Sequence, residues 1–353
     1  MTRRRRPPEA THPTFEAAVP IPATTLAPTA PGSDSSALDP PSPQRRDYVW
    51  STFIPFILVH LVCFAALWTG ARPIDWLVCG LLYFVRVFGV MAGYHRYFSH
   101  RTFKTSRWFQ CVLAVLAEST VQKGVLWWAA HHRVHHKYTD APPDLHSPLQ
   151  YGFWHSHVLW LAERGSEDTN RARVRDLEKF PELVWLDRYW LVPPVVLAVA
   201  VWLLLGWSGL FIGFFLSTVL VWHATFVVNS LAHVVGKRRF ATGDTSRNNW
   251  FIALITLGEG WHNNHHHYMG AARQGFYWWE VDITYYILRG LERCGIVREL
   301  RAVPPAVLAE GRALDAARRE SRRASRAKPP RAPLVPLAPL VPLVPLEARR
   351  AGT

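Results

Sequence analysis

Four long apolar runs constrain this chain more than any other feature of its sequence. They fall at about 48–69, 75–94, 189–206 and 209–228. Each approaches the roughly 20 residues that a helix needs to cross a bilayer. Backbone polar groups find no water at that depth, so such runs become helices. The links Gly70–Ile74 and Gly206–Gly209 leave room only for a reversal, which pairs the runs into two hairpins. The expected fold class is therefore an all-α membrane protein, with four transmembrane helices in two hairpins under a helical cap. The cap and spans form one domain over 47–303.

Charge gives the expected orientation. Of the 40 Lys and Arg, 13 lie between the hairpins and 19 after the fourth run, with 6 before the first. The positive-inside rule then puts both termini and the middle loop in the cytosol. On this reading the net charge of +14 reports orientation and gives no reason to expect a nucleic-acid partner. Arg86 lies within the second run and must face the protein interior or snorkel outward. A further apolar stretch, Trp108 to Ala130, carries Glu118 and Lys123 and reads as an interfacial helix. Residues 1–46 are basic and Pro-rich; 304–353 are Arg-rich and end in PLVPLAPLVPLVPL. Both read as disordered tails. The four cysteines are isolated and form no C-x-x-C pair, which excludes a Cys-based metal framework.

The 17 histidines are clustered. His95 and His100 follow the second run, and His132, His135 and His136 follow the interfacial stretch. His233 lies beyond the fourth run, and His262, His265 and His266 lie in the C-terminal region. On a helix, positions i, i+3 and i+4 share a face, so each H-x-x-H-H box aims three imidazoles at one point. His95 and His100 are five apart, about 140° from a common face on an ideal α-helix. That pair is expected to serve two metals or to end in a loop. Nine imidazoles exceed what one ion takes, since tetrahedral zinc uses four ligands. Imidazole suits several transition metals, and a redox pair beside a membrane points to oxygen chemistry on a lipid-soluble substrate. His12, His60, His146, His155, His157 and His223 are expected to be structural. His131 and His267 adjoin the boxes.

The stretches AGYHRYFSHRTFKTS (92–106), WAAHHRVHHKYTD (128–140), NSLAH (229–233) and GEGWHNNHHHY (258–268) are specific. Over 48–303 the chain resembles the integral-membrane fatty acid desaturases, stearoyl-CoA (Δ9 acyl-CoA) desaturases above all. The resemblance implies two iron ions held by His95, His100, His132, His135, His136, His233, His262, His265 and His266, with Asn229 reaching one iron through a water. It implies O2 as co-substrate and a bent acyl tunnel in which Trp128 and Thr225 line the bend, with Phe226 beside them. It also implies a cis double bond placed in a long-chain acyl-CoA, and a separate electron donor such as a ferredoxin or cytochrome b5. Asp140, Asp144, Glu259 and Asp282 are candidates to orient the imidazoles.

One departure bears on the acyl carrier. Animal relatives carry Arg-Asp before the second box, where this chain has Ala130-His131. A lipid-linked or other carrier-bound acyl chain is therefore an alternative, as is hydroxylation by the same site. Arg171, Arg173, Arg175, Lys179 and Arg188 are candidates to meet a phosphorylated carrier. A histidine-rich transporter would need ligands at mid-membrane depth, where only His60 and His223 lie. Arg outnumbers Lys 34 to 6, a bias of GC-rich bacteria, which would make the compartment a cytoplasmic membrane.

Overall fold

The computed structural model describes residues 47–326. The tail at 1–46 and the Pro-Leu run within 327–353 lie outside the described residues.

Helix α1 (Trp50–Val62) continues through a tight turn at Cys63–Ala65 to Thr69. Gly70, at φ 72°, ends it. Helix α2 (Pro73–Phe88) follows, with Pro73 in its first turn and Asp75 bonded back to the Arg72 backbone N–H at 2.8 Å. These are a good N1 residue and half of a capping box. Without a break, α2 widens into a π-helical stretch over Gly89–Ser99 that is buried throughout.

Among the described residues, three helical stretches are long and apolar enough to cross a membrane: Trp50–Thr69, Pro73–Ser99 and Val192–Val234. The third has 43 residues, about twice what one crossing requires. It comprises α5 (Val192–Ser208), a π-helical stretch over Gly209–Leu216, and α6 (Ser217–Asn229). Gly206, at φ 71° and ψ −162°, breaks it. A side-chain carbon built on Gly213 would meet Val201 at 3.5 Å. In a straight helix those two residues would stand about 18 Å apart, so the chain doubles back at the break.

Arg86 faces inward. It is fully buried and donates to Ser217 Oγ at 3.0 Å, Thr218 Oγ1 at 2.9 Å and the Ser119 carbonyl, with Phe214 under the guanidinium at 5.0 Å. One charge thus joins α2, α6 and the end of the next helix.

The stretch read as one interfacial helix is two. Helix α3 (Arg107–Glu118) is capped by Ser106, and α4 (Val125–Tyr138) starts after a turn in which Val121 and Lys123 take φ of 62° and 64°. Helix α3 packs on the π-helical stretch so closely that a side-chain carbon on Gly89 would meet the Leu116 backbone at 2.8 Å. A single buried core joins Val87–Phe98, α3, α4 and Leu183, Leu186 and Leu288. Helix α7 (His262–His267) and helix α8 (Ile283–Arg293) follow, and strands β1 (Lys104–Thr105) and β2 (Val297–Arg298) pair antiparallel.

The expected disordered tail from 304 needs correction. Residues Pro305–Arg326 form a helix, α9. Val307, Leu308 and Leu314 pack on Phe240, Phe276 and Tyr277, and Arg239 pairs with Asp315 at 3.0 Å. A side chain on Gly311 would strike the Tyr277 hydroxyl at 2.3 Å, so glycine allows the close approach. The arginines between 312 and 323 are exposed, and their number hid the apolar stripe at 307, 308, 311 and 314. The domain thus extends past 303.

Candidate metal centre

The nine predicted histidines come together. His95, His100, His132, His136 and His265 form one group that could hold a metal ion, and His135, His233, His262 and His266 form another. Within each group the ligand atoms lie within 4.8 Å of one another. Helix α4 splits its box between the two groups, and so does α7. A third group, His135, Asp144 and His146, overlaps the second.

His100 stands just past the end of the π-helical stretch, where the chain turns into a loop, as one expected alternative had it. The pair does not divide between the two groups: His95 and His100 fall in the same one. The π-helical stretch is the reason: the His100 N–H donates to the His95 carbonyl at 3.2 Å. That i to i+5 bond marks a wider turn, which brings residues five apart onto one face. Their rings stand 4.8 Å apart.

The imidazoles meet through Nε2. His100 and His132 approach at 2.8 Å, and His233 and His262 at 3.0 Å. His265 Nε2 lies 3.0 Å from both His95 and His136 Nε2. The outer nitrogens of several are committed to acceptors. His135 Nδ1 donates to Asp144 at 3.0 Å, and His266 Nδ1 to Asp244 at 3.0 Å. His95 Nδ1 lies 2.7 Å from Glu259, whose other oxygen takes Arg96 at 3.0 Å. His233 Nδ1 meets Thr245 Oγ1 at 3.2 Å, and that hydroxyl donates to Asp140 at 2.8 Å. A carboxylate only accepts, so each such imidazole is hydrogenated outside and bears its lone pair inside. Inward lone pairs this close repel unless a cation sits among them, and His266 Nε2 is buried without a protein partner. The donor set therefore fits a pair of transition metals. Burial holds His100, His132, His136, His262 and His265 well below their ordinary pKa, in the neutral form that ligation requires.

Of the four carboxylates proposed as orienters, Asp144 and Glu259 act directly and Asp140 acts through Thr245. Asp282 instead pairs with Arg96 at 3.0 Å and caps α8. Asp244 and Gln274, the latter 3.2 Å from His95, gave no sequence signal. The GEG segment did carry one: Gly258 takes φ 132°, and a side-chain carbon there would meet Asp282 at 2.4 Å. His131, bonded to the Trp127 carbonyl, and His267, stacked on Phe240, stay outside both groups.

A cavity of about 360 Å³ reaches this centre at His132. Trp128, Thr225, Phe226 and Asn229 all line it, with Gln122, Phe56 and Trp222. Trp128 stacks on His132 at 4.9 Å. Gln122 Nε2 donates to Thr225 Oγ1 at 3.2 Å, a cross-link that the sequence did not signal. A second cavity of about 380 Å³ shares His131 and His146 with the first and is also lined by Ala130, Asp144, Asp168 and Asn170. No Lys or Arg lines the second, and the one in the first, Lys123, pairs with Glu167 at 2.7 Å. The predicted carrier-binding cations line neither: Arg171 pairs with Glu178 and Arg173 lies over Tyr138.

Comparison with known proteins agrees with this geometry. A model of the fatty acid desaturase family matches residues 74–292. The chain is 36% identical over 273 residues to an sn-2 palmitoyl-lipid 9-desaturase of Nostoc sp. (strain 36), covering 75% of this chain and 93% of that one. It is 35% identical to an acyl-CoA 5-desaturase of Anemone leveillei, over 73% and 83% of the two chains. It is 35% identical to the Delta-9 acyl-lipid desaturase 1 of Arabidopsis thaliana, over 69% and 81%.

Proposed function

The chain belongs to the fatty acid desaturase family, and on that footing we propose that it is an O2-dependent, di-iron membrane enzyme that forms a cis double bond, at the Δ9 position, in a saturated long-chain acyl-CoA. One observation carries this reading: nine imidazoles gather their ring nitrogens in groups of five and four, beside an apolar cavity that one of them lines.

Bound there, two irons would supply the O2 activation needed to take hydrogen from an unactivated CH2. His95, His100, His132, His136 and His265 would hold one, and His135, His233, His262 and His266 the other, with Asn229 reaching an iron through water. Asp144, Asp244 and Glu259 fix the rings that they touch, and Asp140 acts through Thr245. Trp128 and Phe226 exclude water and bring the chosen CH2 to the centre, while the Gln122–Thr225 bond holds two cavity walls at one spacing; positioning of this kind selects the bond. Overall, the acyl chain loses two hydrogens, and these with two protons and two electrons reduce O2 to two waters. The electrons come from a separate donor protein. Reading Val192–Val234 as two crossings gives four spans, with both termini and the centre on the cytosolic side of a bacterial membrane.

One observation favours a second reading, in which the acyl chain is lipid-linked. Among the described residues, the two cavities beside the metal centre offer a phosphorylated CoA head group one cation, Lys123, which is paired with Glu167, and two of the relatives described are acyl-lipid desaturases by name.

Expression in a host without its own desaturase, followed by lipid analysis, tests the function. New cis-Δ9 chains support it; hydroxylated chains, or none, overturn it. Purified protein given a reductant system and either stearoyl-CoA or phospholipid vesicles then separates the carriers. Turnover of lipid alone would overturn the CoA assignment.

A further inference from the structure

Three histidines outside the metal centre form a chain of their own. His60 on α1 meets His223 on α6 at 3.1 Å, Nε2 to Nε2. His223 Nδ1 meets Nε2 of His157, in the cap, at 3.0 Å. His157 Nδ1 lies 2.9 Å from Ser230 Oγ, next to Asn229. At the far end, His60 Nδ1 lies 2.7 Å from the Phe56 carbonyl.

That carbonyl fixes every hydrogen. It can only accept, so His60 carries its hydrogen on Nδ1 and accepts at Nε2. His223 must then donate from Nε2 and accept at Nδ1. His157 donates from Nε2 and accepts at Nδ1 from the Ser230 hydroxyl, whose single hydrogen then leaves the Phe226 carbonyl, 2.9 Å from Oγ, to the Ser230 backbone N–H at 3.1 Å. Three neutral imidazoles thus run head to tail with every ring nitrogen used, and none has a lone pair left for a metal.

The two ends of the chain matter to the cavity. Helix α1 buries none of its side chains, yet Thr52, Pro55 and Phe56 form one wall of the cavity. Its cytosolic end is tied by the Val49 N–H to the Ala162 carbonyl at 2.7 Å; deeper, His60 supplies the polar tie. Phe56 lies between and stacks on Trp222 at 5.3 Å. At the other end, Ser156 Oγ donates to the Asn229 carbonyl at 3.0 Å, so the same segment of the cap holds the turn that leads from Asn229 to His233.

We infer that His60, His223 and His157 are positioning residues that set the α1 wall of the cavity against the metal centre, and so determine how deeply an acyl chain seats and which chain length and bond are chosen. This rests on the desaturase reading above. An interhelical hydrogen bond within a membrane adds a directional tie to a helix none of whose side chains is fully buried.

The test uses the full chain in a desaturase-deficient host, with His60→Leu, His223→Leu and the conservative His60→Gln, whose amide can both donate and accept. Iron content is read first, then the bond position and the ratio of products from palmitoyl and stearoyl chains. The leucine variants should keep their iron and displace the product ratio by about tenfold, roughly what one misplaced methylene is worth in an apolar pocket. His60→Gln should restore it. If a leucine variant fails to accumulate, His60→Asn, too short to reach His223, carries the same expectation. An unchanged ratio and bond position in iron-loaded variants overturns the inference. So does a loss of protein with an unchanged ratio in the remainder, the result of a merely structural tie. An unsubstituted chain that makes no monounsaturated product would remove the functional reading and this inference together, a result distinct from an unchanged ratio.

Discussion

Two sets of histidines lie close together in this protein and are built in opposite ways. In the nine-membered set, carboxylates and a hydroxyl hold several rings from outside, and Nε2 faces Nε2 across a shared space. In the three-membered set the rings run head to tail, and a backbone carbonyl ends the series. The residue type is the same, and the acceptor at one end decides the outcome. An anion outside a ring leaves a lone pair inside for a cation; a carbonyl at the end of a row leaves nothing over.

The sharpest way to break this contrast is His265→Ala. Its Nε2 lies 3.0 Å from two other imidazoles of the five-membered group. The substitution should abolish desaturation and lower iron content, measured by metal analysis of the purified protein; full activity would refute the assigned site. Next come the outer partners. Asp244→Asn and Glu259→Gln should each weaken metal binding or activity by roughly 10–100-fold, the usual cost of losing an orienting carboxylate, and metal titration measures it. Smaller still is Thr225→Val, which removes two hydrogen bonds, from Gln122 and to the Val221 carbonyl, each worth about 1 kcal/mol. It should shift the product ratio a few-fold with iron unchanged, as read by lipid analysis.

A last test reads stability instead of catalysis, at a carboxylate without an imidazole. Burial raises the Glu118 carboxyl to about 8, against the pull of the Val125 N–H that it accepts. Burial acts the same way on Glu259, but His95 and Arg96 outweigh it and hold that group below its ordinary range. A raised folded-state pKa means that Glu118 contributes its full stability below its unfolded value, near 4.5, and loses it as pH rises through about 8. Glu118→Gln should therefore melt higher than the parent at alkaline pH, and the gap should close toward pH 5.

The two H-x-x-H-H boxes were legible because α4 and α7 are ordinary helices and their spacing means what it says. The His95–His100 pair was legible only in part: that it ends in a loop could be read, but nothing in GVMAGYHRYFS announces the π-helix that puts both rings in one group, and α3 packs closely on that stretch at Gly89 and Gly93. The turn at Gly206 was legible from its two glycines. Helix α9 was not, because arginine frequency masked a four-residue apolar stripe. Asp244 and Gln274 were invisible for another reason: they come from loops, where no periodicity links a side chain to its target. The three-histidine row joins positions 66 and 163 residues apart, which only the fold can bring together.

The five-membered group draws on the stretch after the second apolar run, on α4 and on α7, with the doubled-back 43-residue stretch between the last two. A ribosome makes the chain from its N-terminus at about 5–20 residues per second. Neither group can be complete until residue 265 or 266 has emerged, by which time every membrane-length stretch is already made. An ion held by the full set of either group would therefore arrive after those stretches are made, and it would tie the last part of the chain to the first.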